Sequence, residues 1–88
     1  MNVDQASKII LKPYITEKTF AMVENESKIC FIVERQASKP QIVEAVNTLY
    51  NEKAIKVNTA RTIYGKKAIV QFETIAKARD LAGKIGML

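Results

Sequence analysis

The chain has 88 residues, the length of one domain with a modest core. A hydrophobic content of 48% excludes full disorder, and a net charge of +5, from 14 basic and 9 acidic residues, favours an anionic partner. With no histidine and one cysteine, Cys30, the chain forms no internal disulfide and no Cys/His zinc site, and it lacks the usual imidazole acid–base group.

In chain order, residues 1–7 are polar and are expected to be a loose N-terminal segment ahead of a single domain over 8–88. They lack the apolar core of a signal peptide, and no apolar run is long enough to cross a membrane, so a cytoplasmic protein without membrane insertion is expected. Lys8 to Lys12 reads as a short edge strand, because Pro13 cannot continue a paired central strand. After the Pro13-Tyr14 turn, Thr16 is placed as a helix N-cap, and Glu17 sits where the helix dipole favours an acid. Ile15 and Phe20 have the spacing of a hydrophobic staple. The helix is expected to end near Val23 or Glu24, with Asn25-Glu26-Ser27 as a loop.

Lys28 to Glu34 reads as a strand. Ile29, Phe31 and Val33 share one face and Cys30 and Ile32 the other, and apolar groups on both faces suggest a central position. Cys30 is a packed small hydrophobe or a reactive thiol. Ser38 and Gln41 have capping-box spacing, with Pro40 in the first turn, so a helix is expected to Tyr50 or Asn51. Ile42, Ala45, Val46, Leu49 and Tyr50 form its apolar stripe.

Ile55 to Glu73 reads as a hairpin, with a two-residue turn at Gly65-Lys66 where glycine supplies the positive φ. That turn puts Thr59 opposite Phe72, Arg61 opposite Val70, Ile63 opposite Ala68 and Tyr64 opposite Lys67. One face then carries Ile55, Val57, Thr59, Ile63, Ala68, Val70 and Phe72, with Arg61 discordant among them. The other carries Lys56, Asn58, Ala60, Thr62, Tyr64, Lys67, Ile69 and Gln71. A last helix follows Thr74, with Ile75, Ala78, Leu81, Ala82 and Ile85 inward, Lys84 in its last turn and Gly86 just beyond it.

The order is strand, helix, strand, helix, strand, strand, helix. A helical link between two strands favours a split β-α-β crossover joining parallel strands. The second hairpin strand then inserts between them, and the N-terminal strand pairs on the outer side. The fold class is α+β, a four-stranded mostly antiparallel sheet with helices packed on it.

Nothing in the chain assembles an enzyme. No histidine pairs with a serine or cysteine, and neither a phosphate-cradling loop nor a dinucleotide fingerprint is present. No catalytic residue, metal site or cofactor is expected. The placement of charge suits nucleic acid instead. Lys8, Lys12 and Lys18 bracket the Pro-Tyr turn and the first helix. Lys56, Arg61, Lys66 and Lys67 lie along the hairpin, with Asn58, Thr59 and Thr62 as hydrogen-bonding neighbours. Thr16, Ser38 and Lys39 sit at helix N-termini, which themselves suit phosphate. Tyr14 and Tyr64 are candidates for stacking on unpaired bases. The polar edge of the hairpin also fits an alternative, a free protein-interaction adaptor working by strand addition.

Four motifs in register go further. Lys12-Pro13-Tyr14-Ile15-Thr16-Glu17-Lys18, Ala37 to Ile42, Val57-Asn58-Thr59 and Lys66 to Val70 together resemble the universal ribosomal protein L23 family of the large subunit, over Lys8 to Leu88. The Ile85-Gly86 ending resembles its archaeal branch. The match departs at Gln71 and Phe72, where the family commonly has a basic residue or Thr and then Leu. It departs again at Tyr64-Gly65-Lys66, where bacterial relatives carry a long basic extension, so a tunnel-lining role for that loop is not carried over. The resemblance implies a structural, ribosome-bound protein that binds large-subunit rRNA at the rim of the peptide exit tunnel. It implies contact with a neighbouring small ribosomal protein, that of family twenty-nine. It also implies a docking platform for the signal recognition particle, the translocon or a chaperone, with Glu17 matching the docking acid.

Overall fold

The computed structural model describes residues 1–63 and 65–86. Its elements run α1 (Val3–Ile9), β1 (Ile10–Pro13), α2 (Glu17–Glu26), β2 (Lys28–Val33), α3 (Lys39–Tyr50), β3 (Ala54–Thr62), β4 (Gly65–Phe72) and α4 (Ile75–Lys84). The strands form one sheet in the order β1-β2-β4-β3, every neighbouring pair antiparallel. β4 therefore lies between β2 and β3, as the insertion topology requires, and the α+β class holds.

Local chemistry sets the helix starts. The Thr16 hydroxyl accepts from the Thr19 amide, and Thr19 Oγ1 accepts in return from the Thr16 amide at 2.7 Å. The Ser38 and Gln41 side chains make the same reciprocal pair, with Pro40 beside them. Thr74 caps α4 by accepting from the Lys77 amide. Each such cap satisfies amides that a helix otherwise leaves unbonded. α2 runs to Glu26 and ends on Ser27 in the left-handed region, φ 58°, so residues expected as a loop form its last turn.

The segment expected to be loose is helix α1. Asn2 and Gln5 form a third capping box, and Ala6 is fully buried. α1 packs on α3, so burial of one small apolar face orders a short helix that propensity alone would not hold.

All four helices share one core with one face of the sheet. Ile29, Phe31 and Val33 of β2, Ala68, Val70 and Phe72 of β4, and Val57 and Ala54 of β3 meet Val23, Ile42, Val46, Ala78, Leu81 and Ala82. The Phe31 and Tyr50 rings stack with centroids 5.9 Å apart. Burying each Phe, Ile or Leu side chain contributes on the order of 1.5–3 kcal/mol.

The hairpin turn differs from expectation. Thr62 pairs with Gly65, Arg61 with Lys66, Thr59 with Ala68 and Val57 with Val70, so β3 turns after Thr62 and not at Gly65-Lys66. Gly65 still has positive φ, 121°, but as the first residue of β4. Thr59 and Arg61 each change partner by four residues, an even number, so Lys56 to Arg61 and their partners stay on the expected faces. The physical reason lies in Arg61. The expected register sets it against Val70, which is fully buried, whereas the observed one moves it to the solvent end of the sheet and puts Val57 beside Val70.

Both edge strands carry a bulge. The register shifts between Ile10 and Lys12 in β1 and between Ala54 and Lys56 in β3. Each shift turns an apolar residue outward, leaving Leu11 54% and Ile55 55% exposed. Ile55 was expected on the core face, and Ala54 takes that place. Ile63, also expected there, lies in the turn and is 92% exposed.

Candidate nucleic-acid interface

The sheet face away from the helices is a broad surface that gathers several of the expected residues. Three cross-strand rows cover it: Lys12, Ile32, Lys67 and Ala60; then Cys30, Ile69 and Asn58; then Lys28, Gln71 and Lys56. The rows hold lysines 12, 28, 56 and 67 and no carboxylate. Lys67 and the row of Lys56 are separated by four residues of β4, about 13 Å of strand. Cys30 and Ile32 are buried even on this face, 1% and 5% exposed. Burial pushes the Cys30 thiol above its ordinary range, and the Lys67 charge offsets part of that. Cys30 is thus a packed hydrophobe that stays protonated at neutral pH.

Tyr14 borders this face. Its amide donates to the Cys30 carbonyl at 2.9 Å, and its carbonyl accepts from the buried Thr19 hydroxyl at 2.8 Å. The α2 cap therefore fixes the Pro13-Tyr14 turn against the end of β2. The Lys67 ammonium lies 4.8 Å from the Tyr14 ring centroid, a cation–π contact. Lys12, Pro13, Tyr14, Ile15, Thr16 and Ile32 line an open cleft of about 420 Å³ beside it.

The other expected residues lie elsewhere. Lys8 is in the last turn of α1, and Lys18 is exposed on α2. Ser38 and Lys39 open α3, with the Ser38 hydroxyl occupied by its cap. Thr59, Arg61 and Lys66 are on the helix-bearing side of the sheet, whereas Thr62 keeps the parity of the open face at its far end and donates to the Gly65 carbonyl at 2.8 Å. Tyr64 lies outside the described residues. Glu17 is exposed at the start of α2, between Ile15 and Phe20, which are also exposed. Lys28 and Gln71 belong to the open face although neither was singled out as a binding residue. The parity of Lys28 with Cys30 and Ile32 was the available signal. Lys28 also pairs with Glu26 at 3.3 Å.

Fold and surface together define a small basic α+β module with one sheet face left open and lined by lysine. The sequence model of the family described as ribosomal protein L23 matches residues 8–80. Among curated relatives, the large ribosomal subunit protein uL23 of Pyrobaculum aerophilum is 46% identical over 81 residues, covering 91% of this chain and all of that one. That of Picrophilus torridus is 41% identical over 78 residues, covering 89% of this chain and 95% of the other. The uL23B protein of Caenorhabditis elegans is 41% identical over 81 residues but is longer, with 56% of it covered. The chain belongs to the ribosomal protein L23 family, a family of ribosomal proteins and not of enzymes. Among the described residues, no helix is long and apolar enough to cross a membrane.

Proposed function

We propose that this protein is a structural constituent of the large ribosomal subunit that binds large-subunit rRNA through the open face of its sheet. The observation that carries the reading is that face: lysines 12, 28, 56 and 67 in three rows free of carboxylate, bordered by Tyr14 and its cleft. Lysines on such a face neutralise phosphates and release counterions, and shape supplies most of the recognition. The relatives, named as large-subunit proteins, support the assignment. Lys8, Lys18, Ser38 and Lys39 serve as outlying phosphate contacts, and Tyr14 stacks on an unpaired base. By resemblance to the family, the bound position is the rim of the peptide exit tunnel of cytoplasmic ribosomes, beside the small ribosomal protein of family twenty-nine. Glu17, flanked by exposed Ile15 and Phe20, then serves as the docking point for a nascent-chain factor.

The test is sedimentation of the tagged protein from a lysate at low and high salt. Co-migration with large subunits that survives moderate salt is expected, and a protein that stays at the top of both gradients refutes the reading. The outer edge of β3 favours one alternative, strand addition by a partner peptide, because its nine residues pair on one side only. That alternative predicts weak, salt-insensitive RNA binding and partner-dependent amide protection over residues 56–62.

A further inference from the structure

Near the hairpin turn the helix-bearing side of the sheet runs out of apolar side chains. Its last row is Ile10, Val33, Lys66 and Arg61. Lys66 and Arg61 stand directly opposite each other across an antiparallel pair, an arrangement in which like charges repel. Arg35, from the loop after β2, joins them, and with Thr62 and Gly65 the three cations line one cavity of about 250 Å³. Among the described residues, no carboxylate lines it and neither Arg35 nor Arg61 takes part in an ion pair. One wall is fixed, because the Lys66 ammonium donates to the Ala37 carbonyl at 2.6 Å. The space is many times what one water needs. Two guanidinium groups and an ammonium around such a space suit a tetrahedral oxyanion, which arginine grips with paired N–H donors. A bound anion would also offset the repulsion within the cluster.

We propose that Arg35, Arg61 and Lys66 form a phosphate clamp, separate from the open face, that takes one phosphodiester group of an RNA chain. Only the identity of the phosphate's owner rests on the function proposed above. Lys66 and Lys67 are consecutive in β4 and point to opposite sides of the sheet, so RNA touching both would hold the hairpin end from two sides.

The test titrates inorganic phosphate against chloride at constant ionic strength and follows the melting temperature of the full chain. Wild type is expected to melt higher in phosphate, and the Arg35→Gln/Arg61→Gln variant to lose that response while melting no lower than wild type in chloride. Lys66 is kept in both, because its ammonium has a structural partner. A Lys56→Gln/Lys67→Gln variant is expected to keep the phosphate response. The same response in wild type and the arginine variant overturns the clamp. In a second arm, the salt slope for binding a large-subunit rRNA fragment is expected to fall by about 1 in the arginine variant. A normal phosphate response with an unchanged slope overturns RNA as the owner. If wild type binds no such RNA, the proposed function falls together with that ownership, whereas loss of the phosphate response strikes the clamp alone.

Discussion

Removing two lysines from the open face tests the interface quantitatively. In Lys56→Gln/Lys67→Gln both charges go without adding repulsion of the opposite kind. Lys56 is exposed at the sheet edge, and Lys67 makes a contact over the Tyr14 ring. That cation–π contact is worth about 0.5–1 kcal/mol at a solvent-accessible site, so the variant should stay folded. Each phosphate contact contributes about 0.7 to 0.9 to the slope of log affinity against log salt, depending on whether the nucleic acid is single- or double-stranded. Losing two contacts should therefore flatten the slope by about 1.4 to 1.8. Across 50 to 200 mM salt that removes roughly one factor of ten in the salt-induced loss of affinity. The assay is filter binding of an rRNA fragment over a salt series, with circular dichroism as the check on folding. A folded variant whose slope matches wild type would refute the open-face interface.

Other perturbations test the fold. Ile55→Thr should change stability by no more than about 0.5 kcal/mol in denaturant titration, because the β3 bulge turns Ile55 outward. Val57→Thr, at a buried core-face position, should cost clearly more, and equal costs would refute the bulge. Phe72→Ala empties a site only 1% exposed and should cost about 3–5 kcal/mol, a large part of the stability of a chain this small. Cys30 should resist a thiol reagent in the native state and react on unfolding in urea. Burial holds both Cys30 and Tyr50 above their ordinary pKa values, so their contribution to stability is intact below pH 9.0 and is lost as pH rises through the folded-state values. Cys30→Ala should weaken that alkaline decline in a melting series, and an unchanged decline would refute the burial argument.

The parts of the fold that were legible in the sequence depend on neighbours within a few residues. The Thr16 and Ser38 caps, Pro40 in the first turn of α3 and the two apolar faces of β2 are short-range patterns with one physical reading each. Helix α1 had the same kind of signal in Asn2 and Gln5. The apolar residues of segment 1–7, Met1, Val3 and Ala6, are too few to promise burial on their own, and α3 provides the surface on which the helix packs. The turn was misplaced for a related reason. A glycine with positive φ fits the centre of a turn and the first residue after it equally well, and the local sequence does not distinguish them.

By itself, the sequence determined the order and type of most elements, the strand order, most of the membership of the two sheet faces and the basic character of the open one. Those follow from periodicity and from the topology that short connections allow. Only the tertiary structure decided the register of the hairpin, the bulges that expose Leu11 and Ile55, and the meeting of Arg35, Arg61 and Lys66 around one cavity. Each of these depends on groups far apart in the chain competing for the same buried space. An arginine tolerated at the end of a sheet is not tolerated against a buried valine, and that comparison exists only once β2, β3 and β4 lie side by side.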